Sequence, residues 1–168
     1  MSRRIALIGV LIALAFVFGY VESVTMGGFA IPGIKLGLAN IVVVTALWLL
    51  GSKEAFMVSL VRVVLSAITF GNGYTFIYSM AGAMGALAVM IFLKKKFKFS
   101  VKGISVAGAV THNVFQIMAA VVLLRNKWLL ISYLPWLLVA GVIMGFATGV
   151  LSSIIIKRIK PMKGTGNV

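Results

Sequence analysis

The chain has no cysteine and no aspartate, and its only acidic residues are Glu22 and Glu54, set against sixteen lysines and arginines. Without cysteine there are no disulfides, no thiolate metal sites and no thiol-attached haem. One histidine and no aspartate cannot assemble a usual metal site, which excludes metal-assisted catalysis by resident ligands. No Gly-Lys-Ser or Gly-Lys-Thr occurs, so a nucleotide-hydrolysing loop is missing as well. Charged residues are scarce, at 11% of the chain against about 25% in a soluble domain. What the chain has in abundance is apolar: 62% hydrophobic residues, in long runs. The net charge of +14 is not a nucleic-acid footprint, because the basic residues punctuate these runs and form no continuous basic face.

Crossing a hydrocarbon core of about 30 Å takes about 20 mostly apolar residues in a helix. Six runs qualify, at 5–24, 34–50, 55–70, 74–93, 104–124 and 134–156. The second and third are short, and rely on packing inside the bundle or on local thinning of the bilayer. Residues 128–133 read as interfacial, with Trp128, Tyr133 and Trp136 at headgroup level. Pro135 then opens the last helix, where its missing N–H costs nothing. The predicted fold is therefore an all-α membrane protein, a six-helix bundle forming one integral membrane domain over residues 1–168. Residues 157–168 form a basic tail.

Lysine and arginine set the orientation. With the N-terminus in the cytoplasm, the inner connections and ends hold twelve basic residues. The outer connections hold three, Lys35, Arg125 and Lys127, and Arg62 lies within a helix. That bias places both termini in the cytoplasm. The first apolar run is too long for a secretory signal core and reads as a retained helix. The expected location is a bacterial cytoplasmic membrane.

The longest outer connection, 23–33, is rich in glycine yet apolar, with Val24, Met26, Phe29, Ala30 and Ile31. Either it folds over an outward-facing pocket or it rests among headgroups. Small residues recur at four-residue spacing: Gly9 with Ala13 and Ala15 with Gly19 on the first helix, Ala81 with Gly85 and Gly82 with Ala86 on the fourth. Gly141, Gly145 and Gly149 extend the pattern on the last helix. Such faces let helix backbones approach closely in lipid. On the fourth and last helices they read as internal packing; on the first, the face packs inward or meets another membrane subunit.

Polar residues at bilayer depth are costly and ask for a reason. Arg62 is central in its run, and its guanidinium cannot shed its charge. Either it pairs with Glu22 or helix-end carbonyls and fixes the bundle, or it faces an outer cavity and binds an anionic group, with Lys35 adding charge. His112, Asn113 and Gln116 share one broad face of the fifth helix. Asn40 on the second helix and Tyr74, Tyr78 and Ser79 on the fourth are placed to reach the same space. Together they make a cavity suited to a small polar or anionic organic ligand.

The run Pro32-Gly33-Ile34-Lys35-Leu36-Gly37-Leu38-Ala39-Asn40-Ile41, Arg62-Val63, Tyr78-Ser79-Met80-Ala81-Gly82, and His112-Asn113 followed by Gln116 carry a resemblance over nearly the whole chain. It resembles the heptaprenyl diphosphate synthase component I family, also labelled the Gx transporter family. The first label implies a role beside prenyl diphosphate synthesis. That chemistry uses aspartate-rich motifs that hold magnesium, so this chain would be a non-catalytic accessory. The second label implies similarity to the substrate-binding subunits of energy-coupling-factor transporters, six-helix proteins that capture nutrients at the outer face. The resemblance then implies docking of a transmembrane coupling subunit, driven by ATPase subunits, on the first helix at Gly9, Ala13, Ala15 and Gly19. No cofactor is implied. The functional expectation is capture of a small, anionic organic ligand; the alternative is the accessory role in prenyl diphosphate or quinone metabolism.

Overall fold

The computed structural model describes residues 2–26 and 37–164, and the described residues are helical apart from short connections. In chain order the helices are α1 (Ser2–Met26), α2 (Leu38–Leu49), α3 (Ser52–Thr69), α4 (Gly73–Lys96), α5 (Val101–Leu124), α6 (Trp128–Ser132) and α7 (Leu134–Gly164). Four of them, α1, α4, α5 and α7, are long and apolar enough to cross a membrane. Helix α2 has 12 residues, about 18 Å at 1.5 Å per residue. Helix α3 is long enough but carries Lys53, Glu54 and Arg62.

One expectation needs correcting. The first helix runs to Met26, so residues 23–26 are helix where the sequence suggested loop. The rest of that connection, with Lys35, lies outside the described residues. Helix α7 continues through Gly164, so the start of the expected tail is helical. Within the segment read as interfacial, residues 128–132 form α6, a short helix with Trp128 exposed, which is compatible with that reading.

The short helix α2 is the buried axis of the fold. Eight residues of α2 are buried, Ala39 and Ile41 through Leu47. They pack against Leu11 and Ala15 of α1, Ala55 and Val58 of α3, Ala86, Leu87 and Met90 of α4, and Ile104 of α5. A strand of Val and Ile would be the local preference in water. Here the surrounding helices impose a fully apolar helix, since a lipid-bathed chain must satisfy its backbone internally. The C-terminal carbonyls of α2 are satisfied from two sides. Lys94 Nζ donates to Leu47 O at 2.5 Å and lies 4.8 Å above the Trp48 ring. Arg4 donates to Leu50 O and pairs with Glu54. Positive charge at a helix C-terminus also complements its dipole.

The connections fix an alternating bundle. Gly51, at φ 122, makes the tight reversal between α2 and α3, a conformation that other residues rarely adopt. Asn72 and Thr75 form a capping box that starts α4, and Ser100 accepts from Gly103 N to start α5. Cross-helix contacts agree with this order. Arg4, near the start of α1, meets the end of α2, while Glu22, near the end of α1, meets Gly37 just before α2.

The glycine spacings on α4 and α7 mark the tightest interfaces, as expected. A Cβ at Gly145 would lie 2.8 Å from Val106 Cα, and one at Gly149 2.8 Å from Lys102 Cα, so α7 lies directly on the α5 backbone. On the other side of α5, a Cβ at Gly82 would meet His112 O at 2.9 Å, and one at Gly85 would meet the Phe115 ring at 2.6 Å. Helix α5 is thus held between α4 and α7.

Candidate binding cavity

A cavity of about 60 Å³ lies where α1 ends and α2 begins. That is several times the roughly 10–15 Å³ that one water needs. Its wall is drawn from six helices: Glu22 of α1, Ala39 and Asn40 of α2, Arg62 of α3, Ser79 of α4, His112 and Asn113 of α5, and Thr148 of α7. Each arrives for a local reason. Helix α5 presents Ala109, His112 and Asn113 on one stripe, the i, i+3, i+4 spacing that turns one face inward. Helix α7 supplies Gly141, Gly145 and Thr148 with the same periodicity, and its glycines draw that stripe against α5.

Two charged residues, Glu22 and Arg62, line the cavity among the described residues. Glu22 is buried, and its Oε1 accepts from Gly37 N at 2.5 Å. A carboxylate is favoured there, because the first N–H groups of a helix have no partner within it and carry the positive end of its dipole. Glu22 also acts electrostatically on Arg62. The Arg62 side chain is partly buried, and its Nε is buried with no hydrogen-bond partner among the described residues. Arg62 is one of the residues that line the cavity.

Neutral groups frame this pair. Asn113 Nδ2 donates to Leu137 O at 2.6 Å, which ties α5 to α7 and fixes the amide at the cavity edge. Thr148 Oγ1 shares a hydrogen bond with Ser105 Oγ at 2.9 Å, and Ser152 Oγ donates to Ile41 O at 3.3 Å. Gly37, at φ 76, brings the start of α2 so close to α7 that a Cβ there would lie 3.3 Å from Thr148 Cγ2. Any side chain at residue 37 would be strained and would crowd this wall.

Of the predicted ligand residues, Arg62, Asn40, His112, Asn113 and Ser79 line the cavity together. Gln116 does not; it lies one turn beyond His112, and its Oε1 is buried without a hydrogen-bond partner among the described residues. Tyr74 and Tyr78 do not line it either, and Tyr74 is exposed. The reason is helical register: with 3.6 residues per turn, the stripe of Tyr74 and Tyr78 points about 100° away from Ser79. Lys35 lies outside the described residues.

Sequence reasoning missed Glu22 and Thr148 as wall residues. Glu22 was legible as a buried carboxylate in an apolar helix, a costly residue that asks for a role. Thr148 gave no signal beyond its place one turn from Gly145.

The small residues of α1 divide into two pairs. Ala15 is fully buried, and a Cβ at Gly19 would touch Ser66 Oγ at 3.5 Å, so this pair packs within the bundle. Ala15 therefore cannot meet another subunit. Gly9 has open space where a Cβ would stand, and Ala13 is exposed, so this pair faces outward.

No curated protein and no solved structure matches the chain. A family model does, over residues 11–155, which reaches into every helix and takes in all the cavity residues. The chain belongs to the heptaprenyl diphosphate synthase component I family.

Proposed function

We propose that this protein is a substrate-capture subunit of a nutrient transporter of the energy-coupling-factor type. It crosses the bacterial cytoplasmic membrane six times with both termini in the cytoplasm. The observation that carries the reading is the cavity itself. An arginine with an unpartnered buried Nε lines a void among amides, a hydroxyl and an imidazole. A charge that costs at least about 2.5–3.5 kcal/mol at mid-bilayer is not needed for a purely structural wall. It supports binding of a small polar organic ligand whose anionic group meets Arg62. The basic-residue bias puts the cavity end of the bundle outward, toward nutrients. Helices α2 and α3 cross as inner elements of the bundle, where short or charged spans are tolerated.

Gly9 and Ala13 support docking of a transmembrane coupling subunit, itself driven by ATPase subunits, since small exposed residues let a partner helix approach closely. Gly9→Leu is expected to leave the fold intact, because nothing stands where the new side chain begins. Co-purification of the coupling subunits should be lost; a Gly9→Leu chain that still brings them down removes the docking assignment.

A second reading rests on the family's description. A non-catalytic component of a prenyl diphosphate synthase would associate with a soluble catalytic partner. Native mass spectrometry of the full chain, purified from its own cells, separates the two. A retained small polar molecule supports capture, whereas a retained prenyl lipid or bound synthase supports the accessory role. If the chain carries neither, the capture reading is lost.

A further inference from the structure

The turn between α4 and α5 gathers five lysines into the nine residues 94–102, interleaved with Phe97 and Phe99 and with no acidic residue among them. Lys94 is turned inward, onto Leu47 O and the Trp48 ring. The other four have no carboxylate partner among the described residues. Glu54 pairs with Arg4, and Glu22 stands beside Gly37, at the other end of α2. Like charges gathered so closely repel unless something negative comes between them. Neither glutamate supplies it.

We propose that this turn seats the phosphate of an anionic phospholipid, held by Lys96, Lys98 and Lys102 and flanked by phenylalanine rings set among the acyl chains. The proposal goes beyond the capture reading and does not depend on it. Three observations carry it. The first is reach. Helices α4 and α5 are each long and apolar enough to cross a membrane, and only residues 97–100 join them. Such a connection spans about 14 Å when fully extended and must go out and back, so it stays at the bilayer surface. The second is the set of rings. Phe92, Phe97 and Phe99 are each about half exposed, and they touch edge to face in succession, with centroids 5.7 and 6.2 Å apart. In water such a cluster leaves apolar area unburied; at the boundary of headgroups and acyl chains it is at home. The third is where the ammonium groups are held. Lys96 Nζ lies 5.6 Å from the centre of the Phe92 ring and 5.8 Å from that of Phe97, and Lys102 Nζ lies 5.7 Å from that of Phe146. Phe92 and Phe146 are exposed residues within spanning helices. Both lysines therefore bend back toward the membrane and keep their charge at its surface. Lys98, at φ 50, stands exposed between the two rings of the turn. Ammonium groups at that level meet lipid phosphates, whereas a soluble acidic partner would call for lysines extended into water.

The test uses the full chain in detergent micelles holding equal amounts of phosphatidylglycerol and phosphatidylcholine with the same acyl chains. Bound lipids are read by native mass spectrometry. Phosphatidylglycerol is expected to be retained in excess. Lys96→Gln with Lys102→Gln is expected to lower that excess at least about fivefold, the worth of one basic residue beside an anionic surface. Arg125→Gln with Lys127→Gln removes the same charge from the other end of α5 and is expected to leave the excess in place. The proposal is overturned if the wild-type chain shows no excess, if the lysine variant lowers it by less, or if the control loses as much. Inorganic phosphate that strips the lipid, where chloride of equal ionic strength does not, would make the turn a site for the free ion and overturns it as well. So does an acidic soluble protein that co-purifies with the wild-type chain and not with the lysine variant while their bound lipids stay the same. Should the double variant fail to fold, Lys96→Gln alone is read against Arg125→Gln, with a fall of about twofold or more expected and a smaller one overturning the proposal. Loss of the lipid preference leaves capture of a small molecule untouched, and failure of capture leaves this proposal standing.

Discussion

Arg62→Ala is expected to abolish retention of the co-purified small molecule, with a loss of affinity of at least a hundredfold. A charged donor to an anionic group is worth roughly 1.5–3 kcal/mol per hydrogen bond, and a guanidinium offers two in parallel. Since each 1.4 kcal/mol is tenfold, a hundredfold is the lower end. The same change removes a positive charge from a wall that also holds the buried Glu22, so part of the fold's stability goes too. That part is separable. In the double variant Arg62→Met with Glu22→Gln both charges that line the cavity among the described residues are gone, and replacing buried charges of opposite sign together by neutral groups of similar size is often nearly neutral for stability. The double variant should therefore melt close to the wild-type chain and still retain no ligand. Retention measured by native mass spectrometry and the melting midpoint together decide. If Arg62→Ala keeps the bound molecule, the arginine is scaffolding.

How much of this was written in the sequence varies by level. Composition and apolar runs were enough for the all-helical membrane class, because lipid leaves a spanning chain few other ways to satisfy its backbone. The close-packed faces of α4 and α7 were legible too, since glycine at four-residue spacing has few other uses in lipid. The divided face of α1 was not. Ala15 and Gly19 follow the same spacing as Gly9 and Ala13, and only the packing of α3 shows that one pair turns inward. The site was half legible. A polar side chain in a spanning run announces itself by its cost, and Arg62, Asn40, His112, Asn113 and Ser79 line one cavity. Tyr74 and Tyr78 do not line that cavity, and aromatic residues at a helix end sit as comfortably at a bilayer interface as in a pocket. Glu22 was weighed as a partner of Arg62, but its hydrogen bond to Gly37 depends on the start of α2, which spacing along the chain does not reveal.

That dependence ties the cavity to the packing of α7. Gly37 stands against Thr148, Thr148 is fixed by Ser105, and Ser105 is brought there by the contact of Gly145 and Gly149 with the backbone of α5. Gly145→Leu is therefore expected to cost more than its own site. A Cβ at this position falls 2.8 Å from Val106 Cα, and 2.9 Å from the Ala109 Cβ. Neither neighbour is the end of a flexible side chain, so the helices themselves must separate. Overpacking of this kind typically costs about 1–3 kcal/mol, occasionally more. Here separation would also break the Ser105–Thr148 bond and strip α7 of contacts that lipid cannot replace in kind. The expected result is a large fall in the melting midpoint together with loss of the bound molecule. Gly73→Ala serves as the control: no atom lies within 4 Å of its would-be Cβ, and both quantities should stay near the wild-type values. If Gly145→Leu melts like Gly73→Ala, the α5–α7 contact is looser than its geometry implies and cannot be what positions the cavity wall.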